Sequence, residues 1–352
     1  MDKNKAIEKN MMAQFNGLNA IRGIAAIFIF LHHVGLEGYV VTSFGDCFVS
    51  FFFILSGFLS TASCEKRYAT KAQSIESMSR FIIRKIGKLY PLYFLCLILA
   101  LIVKGNNLDI PVILLNAAML QSWIPNPDIY FSGNSVSWFV SSLMFCYIMF
   151  IPMFRLMKNH YPIFIMLSAT LFVSYFIVIQ FIPDMLLTPI IYISPIMQFS
   201  AFLFGMILWN FFKRVSFSLQ HMESLYVLCV LVLVAMILLY CYVPERYALS
   251  SYWWLIWGVV IYLTAKRDMA DTSNFTASVV GKALLAMGRI SFPVYMLHTL
   301  VIAAYARICH FFAFESPISL TIAITFVASL CLSLAIDLHL YKAFHWANLR
   351  KQ

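Results

Sequence analysis

Ten runs of mostly apolar residues, each about the length of a membrane span, divide this chain: 17–37, 44–63, 89–104, 135–157, 161–182, 189–212, 223–243, 249–265, 289–312 and 317–341. A helix needs about 20 apolar residues to cross the hydrocarbon core of a bilayer. In lipid, only helices and closed barrels satisfy every backbone polar group. Runs this long predict helices, so the fold class is an all-α polytopic membrane protein, a bundle of about ten transmembrane helices. Of the 352 residues, 62% are hydrophobic and 11% charged, against roughly 45–50% and about 25% in soluble domains. An eleventh run, IPVILLNAAMLQSWI (110–124), is short and interrupted by Asn116 and Gln121. It reads as interfacial or re-entrant.

The positive charges orient the bundle. With ten spans and the N-terminus in the cytosol, 21 of the 25 lysines and arginines fall on the cytoplasmic side. Three (Lys104, Arg246 and Arg307) fall on the other side, and Arg22 lies inside the first run. Counting the eleventh run as a span would destroy this bias, which is the usual signature of cytoplasmic loops. The expected organisation is a cytoplasmic tail over 1–16, a membrane domain over 17–345 and a cytoplasmic tail over 346–352, N-in and C-in. The same bias accounts for the net charge of +10 without nucleic acid. No small-residue cleavage site follows the first run, which reads as a retained span. The eight cysteines are scattered, with no CxxC pair and no metal-ligand spacing, so neither a disulfide framework nor a metal site is expected.

The first run carries ionisable groups. In IRGIAAIFIFLHHVG (21–35), Arg22 and His33 are eleven residues apart. At 100° per residue that is three turns plus about 20°, one face of one helix with the two groups roughly 16 Å apart. Arg22 taken alone is a snorkelling arginine at the cytoplasmic boundary, and His33 taken alone an interhelical hydrogen bond. Sharing a face, the two are functional candidates. His32 sits about 100° further round and reads as structural.

LNAIRGIAAIFIFLHH (18–33) resembles the first-helix signature of the membrane acyltransferase-3 family, an arginine, ten residues, then a histidine. VSFFFILSGFLS (49–60), RKIGKLYPLYF (84–94), SWFVSSLMFCYIMFIP (137–152) and ISFPVYMLHTLVI (290–302) are similar to four further phrases of that family, in its order. Two departures stand out. Lys85 and Lys88, with Arg84 adjacent, stand where many members have paired arginines; lysine is a point charge without the bidentate fork. Leu143 stands where many members carry a glutamate, so no carboxylate is expected from that helix.

The resemblance implies transfer of an acyl group, usually acetyl, from cytosolic acyl-coenzyme A to a sugar hydroxyl of an envelope polysaccharide such as O-antigen or of a lipid-linked glycan. The setting implied is the outer face of a bacterial cytoplasmic (inner) membrane. Acyl-CoA is then a donor substrate, and no bound cofactor is implied. A hydroxyl is a poor nucleophile at neutral pH and needs a base, for which histidine is the usual choice. His33 is the candidate general base or transient acyl carrier, and Arg22 would hold the donor or stabilise developing charge. Arg80, Arg84, Lys85 and Lys88, in loop 64–88 and the start of the third span, are the candidate phosphate-binding set, with Tyr90 beside Pro91 shaping the donor's entrance. Ser56, Trp138, Ser141, Tyr295 and His298 are candidate cavity-lining residues. Asp46 reads first as a solvated loop acid and second as a carboxylate able to orient a histidine. The competing class is a transporter or flippase using the same Arg and His, which predicts no acyl-CoA dependence.

Overall fold

The computed structural model describes residues 15–34, 44–68, 75–104, 109–215, 219–239, 242, 245–248, 252–270 and 278–349. Most of the expected N-terminal tail and the last three residues of the expected C-terminal tail lie outside them. The longer helices are α1 (Asn16–His33), α2 (Cys47–Tyr68), α3 (Ile75–Lys104), α4 (Ile110–Ala117), α5 (Trp138–Asn159) and α6 (Tyr161–Phe181). They continue as α7 (Pro195–Arg214), α8 (Leu219–Leu239), α9 (Tyr252–Met269), α10 (Val279–Arg289), α11 (Ser291–Phe311) and α12 (Ile318–Leu349). Among the described residues seven helices are long and apolar enough to cross a membrane. The protein is an all-helical, multi-pass membrane protein.

Three boundaries differ from the sequence reading. The basic residues expected in a loop lie on α3, which starts at Ile75 and runs through Pro91. Proline removes the donor to the carbonyl four residues back and crowds it. That residue is Gly87, and the helix nevertheless continues through it. The run expected as one helix over 189–212 is broken at Ser194, whose ψ of 126° is extended. Pro195 imposes this, because its ring disfavours the α region for the residue before it. Upstream, Leu187–Ile193 form a π-helix. Finally, α12 continues to Leu349, past the apolar run that ends at 341.

Helix association in lipid relies on close packing, which small residues permit. Gly57 of α2 and Gly205 of α7 make one close crossing: a Cβ on Gly57 would sit 2.0 Å from the Phe202 carbonyl oxygen, and one on Gly205 2.0 Å from that of Ile54. A second crossing presses α1 on α10, where a Cβ on Gly288 would meet the Asn19 carbonyl oxygen at 1.9 Å. Aromatic rings fill space between the helices: Phe58 meets Trp209 edge-on at 5.2 Å, as aromatic pairs prefer, and Phe139 lies between Phe53, tilted at 4.7 Å, and Tyr295, edge-on at 5.3 Å.

The eleventh run forms α4, too short to span, followed by turns. Its two polar residues hold it in place. The Tyr93 hydroxyl donates to the Asn116 carbonyl at 2.6 Å and the Asn116 amide to Ser132 at 2.6 Å. Gln121 donates to Tyr93 at 2.9 Å and Ser137 at 3.2 Å. Asn134 then donates to the Met296 carbonyl at 2.7 Å and accepts from Thr299 at 2.8 Å. These bonds lock segment 131–138 onto α11.

The start of α1 is capped from another helix. Asp268, beyond the apolar run ending at 265, accepts from the Gly17 N–H at 2.9 Å and the Leu18 N–H at 3.3 Å. Burial pushes its carboxyl up to about 6 from 3.8, with those N–H groups pulling the other way. Between these values the folded state binds more protons than the unfolded one, so stability falls as pH rises from about 4 to about 6 and is flat above. Thermal midpoints measured across that range should show this slope in the wild type and lose it in Asp268→Asn.

Candidate active site

The last turn of α1, the start of α2, the π-helix, segment 131–138 and α11 enclose a cavity of about 380 Å³, within the range of small-molecule sites. His32 and His33 reach it from α1, with Asp46 and Val49 beside α2. Phe131, Ser135, Val136 and Trp138 come from the locked segment, Thr188 and Tyr192 from the π-helix, and Tyr295 from α11. Thr188 and Tyr192, four apart, share the inward face as residues about one helical turn apart do, and the turn that carries them is a π-helix. Such turns are rare and frequent at functional sites. Its end is pinned from neighbouring helices, by Gln198 donating to the Tyr192 carbonyl at 2.6 Å and Ser142 to the Ile193 carbonyl at 2.8 Å.

His33 Nδ1 lies 2.8 Å from the Ile29 carbonyl oxygen. A carbonyl only accepts, so Nδ1 carries the proton and Nε2 presents a lone pair, without a partner among the described residues. This is the tautomer a base needs. The His298 ring lies 4.8 Å from His33 at 73°. It is fully buried behind the wall, Nδ1 donating to the Tyr295 carbonyl at 2.7 Å, while its Nε2 has no hydrogen-bond partner among the described residues. His32 Nε2 is 3.3 Å from Asp46 Oδ1, which also accepts from the Tyr192 hydroxyl at 2.9 Å. The ring centroids of His32 and His33 are 5.0 Å apart. The two adjacent imidazoles thus have different partners, one a carbonyl and one a carboxylate.

Of the expected cavity-lining residues, Trp138 and Tyr295 line this space. His298 stands one ring behind it. Ser56 does not line it, lying half-buried on α2 beside the Gly57 crossing. Neither does Ser141, whose hydroxyl donates to the Met119 carbonyl at 2.7 Å and meets Ser122 at 2.6 Å. Arg22 sits on the same helix as His33, half-buried, donating to the Ser291 hydroxyl at 3.2 Å and within electrostatic reach of Tyr147. Helix α3 divides the basic set. Lys85 turns inward, its ammonium 5.5 Å from the Phe81 ring and 6.0 Å from the Tyr147 ring. Arg80, Arg84 and Lys88 repeat every four residues along another stripe, Arg84 donating to the Arg80 carbonyl at 3.1 Å. Tyr90 donates to the Ala117 carbonyl at 3.2 Å, fastening α3 to the end of α4.

Asp46, His32, Phe131, Ser135, Thr188 and Tyr192 were not expected at the site. Asp46 and the adjacent histidines carried a partial signal, since a carboxylate near the end of an apolar run beside His32 was open to pairing. Thr188 and Tyr192 carried none, because a π-helix has no sequence period that an apolar run would reveal.

The family model described as "Acyltransferase domain" matches residues 15–338 of this chain. The acyltransferase MdmB of Streptomyces mycarofaciens is 27% identical over 165 residues, a stretch covering 40% of this chain and 40% of that protein. No solved structure matches.

Proposed function

The chain belongs to this acyltransferase family, and we propose that it transfers an acetyl group from cytosolic acyl-coenzyme A to a sugar hydroxyl of an envelope polysaccharide such as O-antigen. The acceptor would stand at the outer side of a bacterial cytoplasmic membrane, with both termini of the chain in the cytosol. The observation that carries the reading is His33, with Nδ1 held by Ile29 and the Nε2 lone pair free in a cavity that it lines. The acceptor oxygen attacks the thioester carbonyl carbon while its proton passes to Nε2. The new C–O bond forms, the C–S bond breaks, and the proton leaves with the coenzyme A thiolate.

Arg22 and His33 are about three helical turns apart, roughly 16 Å, too far for both to touch one reacting carbonyl. The division of labour follows from coenzyme A itself, whose phosphates and thioester lie at opposite ends of a long flexible arm. Arg22 and the inward Lys85 would hold the donor, and His33 would meet its acyl end. Arg80, Arg84 and Lys88 would guide the phosphates from the surface.

In membrane vesicles supplied with radiolabelled acetyl-CoA, thiol release and label on endogenous glycan should appear together. Losing one charged phosphate contact costs about 1.5–3 kcal/mol, so Lys85→Ala should raise the KM for acetyl-CoA about ten- to a hundredfold with a smaller change in kcat. Turnover insensitive to acetyl-CoA would favour the transporter reading of the same residues, and a Lys85→Ala enzyme with unchanged KM would remove Lys85 from donor binding.

A further inference from the structure

We propose that the cavity seats one neutral sugar ring of the acceptor and rejects an acidic one, with Asp46 as the residue that discriminates. This rests on the reading of the acceptor as a sugar. The walls are of two kinds. Phe131, Trp138, Tyr192 and Tyr295 supply aromatic surface, with Phe131 39% exposed and the Trp138 and Tyr192 rings 4.8 Å apart. Between them stand polar atoms that make no hydrogen bond among the described residues: Asp46 Oδ2, the Ser135 and Thr188 hydroxyls, and His33 Nε2. A pyranose has the matching surface, C–H groups on its faces and hydroxyls around its edge. A flat apolar ligand would leave these polar atoms dry and unpaired, at a cost of about 1–3 kcal/mol for each buried group.

Charge sets the preference. Among the described residues of the cavity wall, Asp46 is the one carboxylate and there is no lysine or arginine. Its Oδ1 is taken by His32 and the Tyr192 hydroxyl, which leaves Oδ2 to accept a ligand hydroxyl. A uronate in the same place would set a second carboxylate against Asp46 with no fixed cation to offset it, a juxtaposition that costs several kcal/mol. The Asp46–His32–Tyr192 chain thus places one acceptor-binding oxygen next to the base.

The test uses the full chain in nanodiscs at pH 8, where imidazoles are ordinarily neutral, with methyl β-glucopyranoside and methyl β-glucuronide as probes and saturation-transfer NMR as readout. The expected result is transfer to the neutral glycoside, at least about tenfold weaker binding of the glucuronide, and loss of that preference in the isosteric Asp46→Asn. Phe131→Ala should weaken both probes while keeping the preference. Equal binding of the two, a preference for the glucuronide, a preference surviving in Asp46→Asn, or no transfer to either probe would each overturn the proposal. The vesicle assay separates the two readings: glycan labelling from acetyl-CoA together with any of those four outcomes leaves acyl transfer standing and removes the neutral-sugar subsite alone.

Discussion

His33→Ala should lower acyl transfer by about two to four orders of magnitude, the range that general acid–base catalysis supplies, with the fold retained. The histidine stands at the last residue of α1, its ring lining the cavity and meeting the neighbouring helix at His298, so truncating it opens the cavity wall at the end of the helix. The substitution leaves a space the size of an imidazole open to the cavity, so added imidazole should restore part of the rate. Rescue separates a lost base from a damaged bundle, since no small molecule would repair the latter. His298→Ala is the informative companion. That ring touches His33 from behind, and its loss should lower kcat less than the loss of His33, without imidazole rescue. An enzyme that works as well with alanine at 33 as with histidine would remove His33 from the chemistry.

The second large effect is structural. At the Gly57–Gly205 crossing a Cβ on either residue would stand 2.0 Å from a main-chain oxygen of the other helix, and backbone cannot yield as a flexible side chain can. Overpacking a well-filled interior costs about 1–3 kcal/mol, occasionally more. Gly57→Val or Gly205→Val should reach at least the upper end, because both crossing helices would have to separate along their length. The readout is yield of monodisperse protein in mild detergent and its thermal midpoint. Ser56→Ala, next door and only half-buried, should stay within about 0.5 kcal/mol of the wild type. A Gly57→Val protein with wild-type elution and midpoint would mean that α2 and α7 do not meet at this distance.

These two sites differ in how visible they are from sequence. The apolar runs announce the helices because bilayer thickness fixes their length. The Arg22–His33 stripe is visible because it lies within one helix, where rotation per residue is known. The Gly57–Gly205 pair joins residues far apart in sequence, and only the fold identifies it. The remainder of the site depends on contacts between distant segments: Tyr192 reaches Asp46 across 146 positions, and Asn134 reaches Met296 across 162. Local geometry hid the rest. The basic set looked like one cluster until α3 turned Lys85 inward and left Arg80, Arg84 and Lys88 on another stripe, and the 189–212 run looked uniform until Pro195 broke it.

The central claim is that this chain, through His33, places acyl groups on a surface glycan. The measurement that addresses it most directly is the acyl content of that glycan, by NMR, in cells expressing the wild type, His33→Ala or neither, at matched protein levels. Acyl signals with the wild type that fall to the level of cells lacking the protein in His33→Ala are the predicted result. Equal acylation with the wild type and His33→Ala, or none with the wild type, would contradict it.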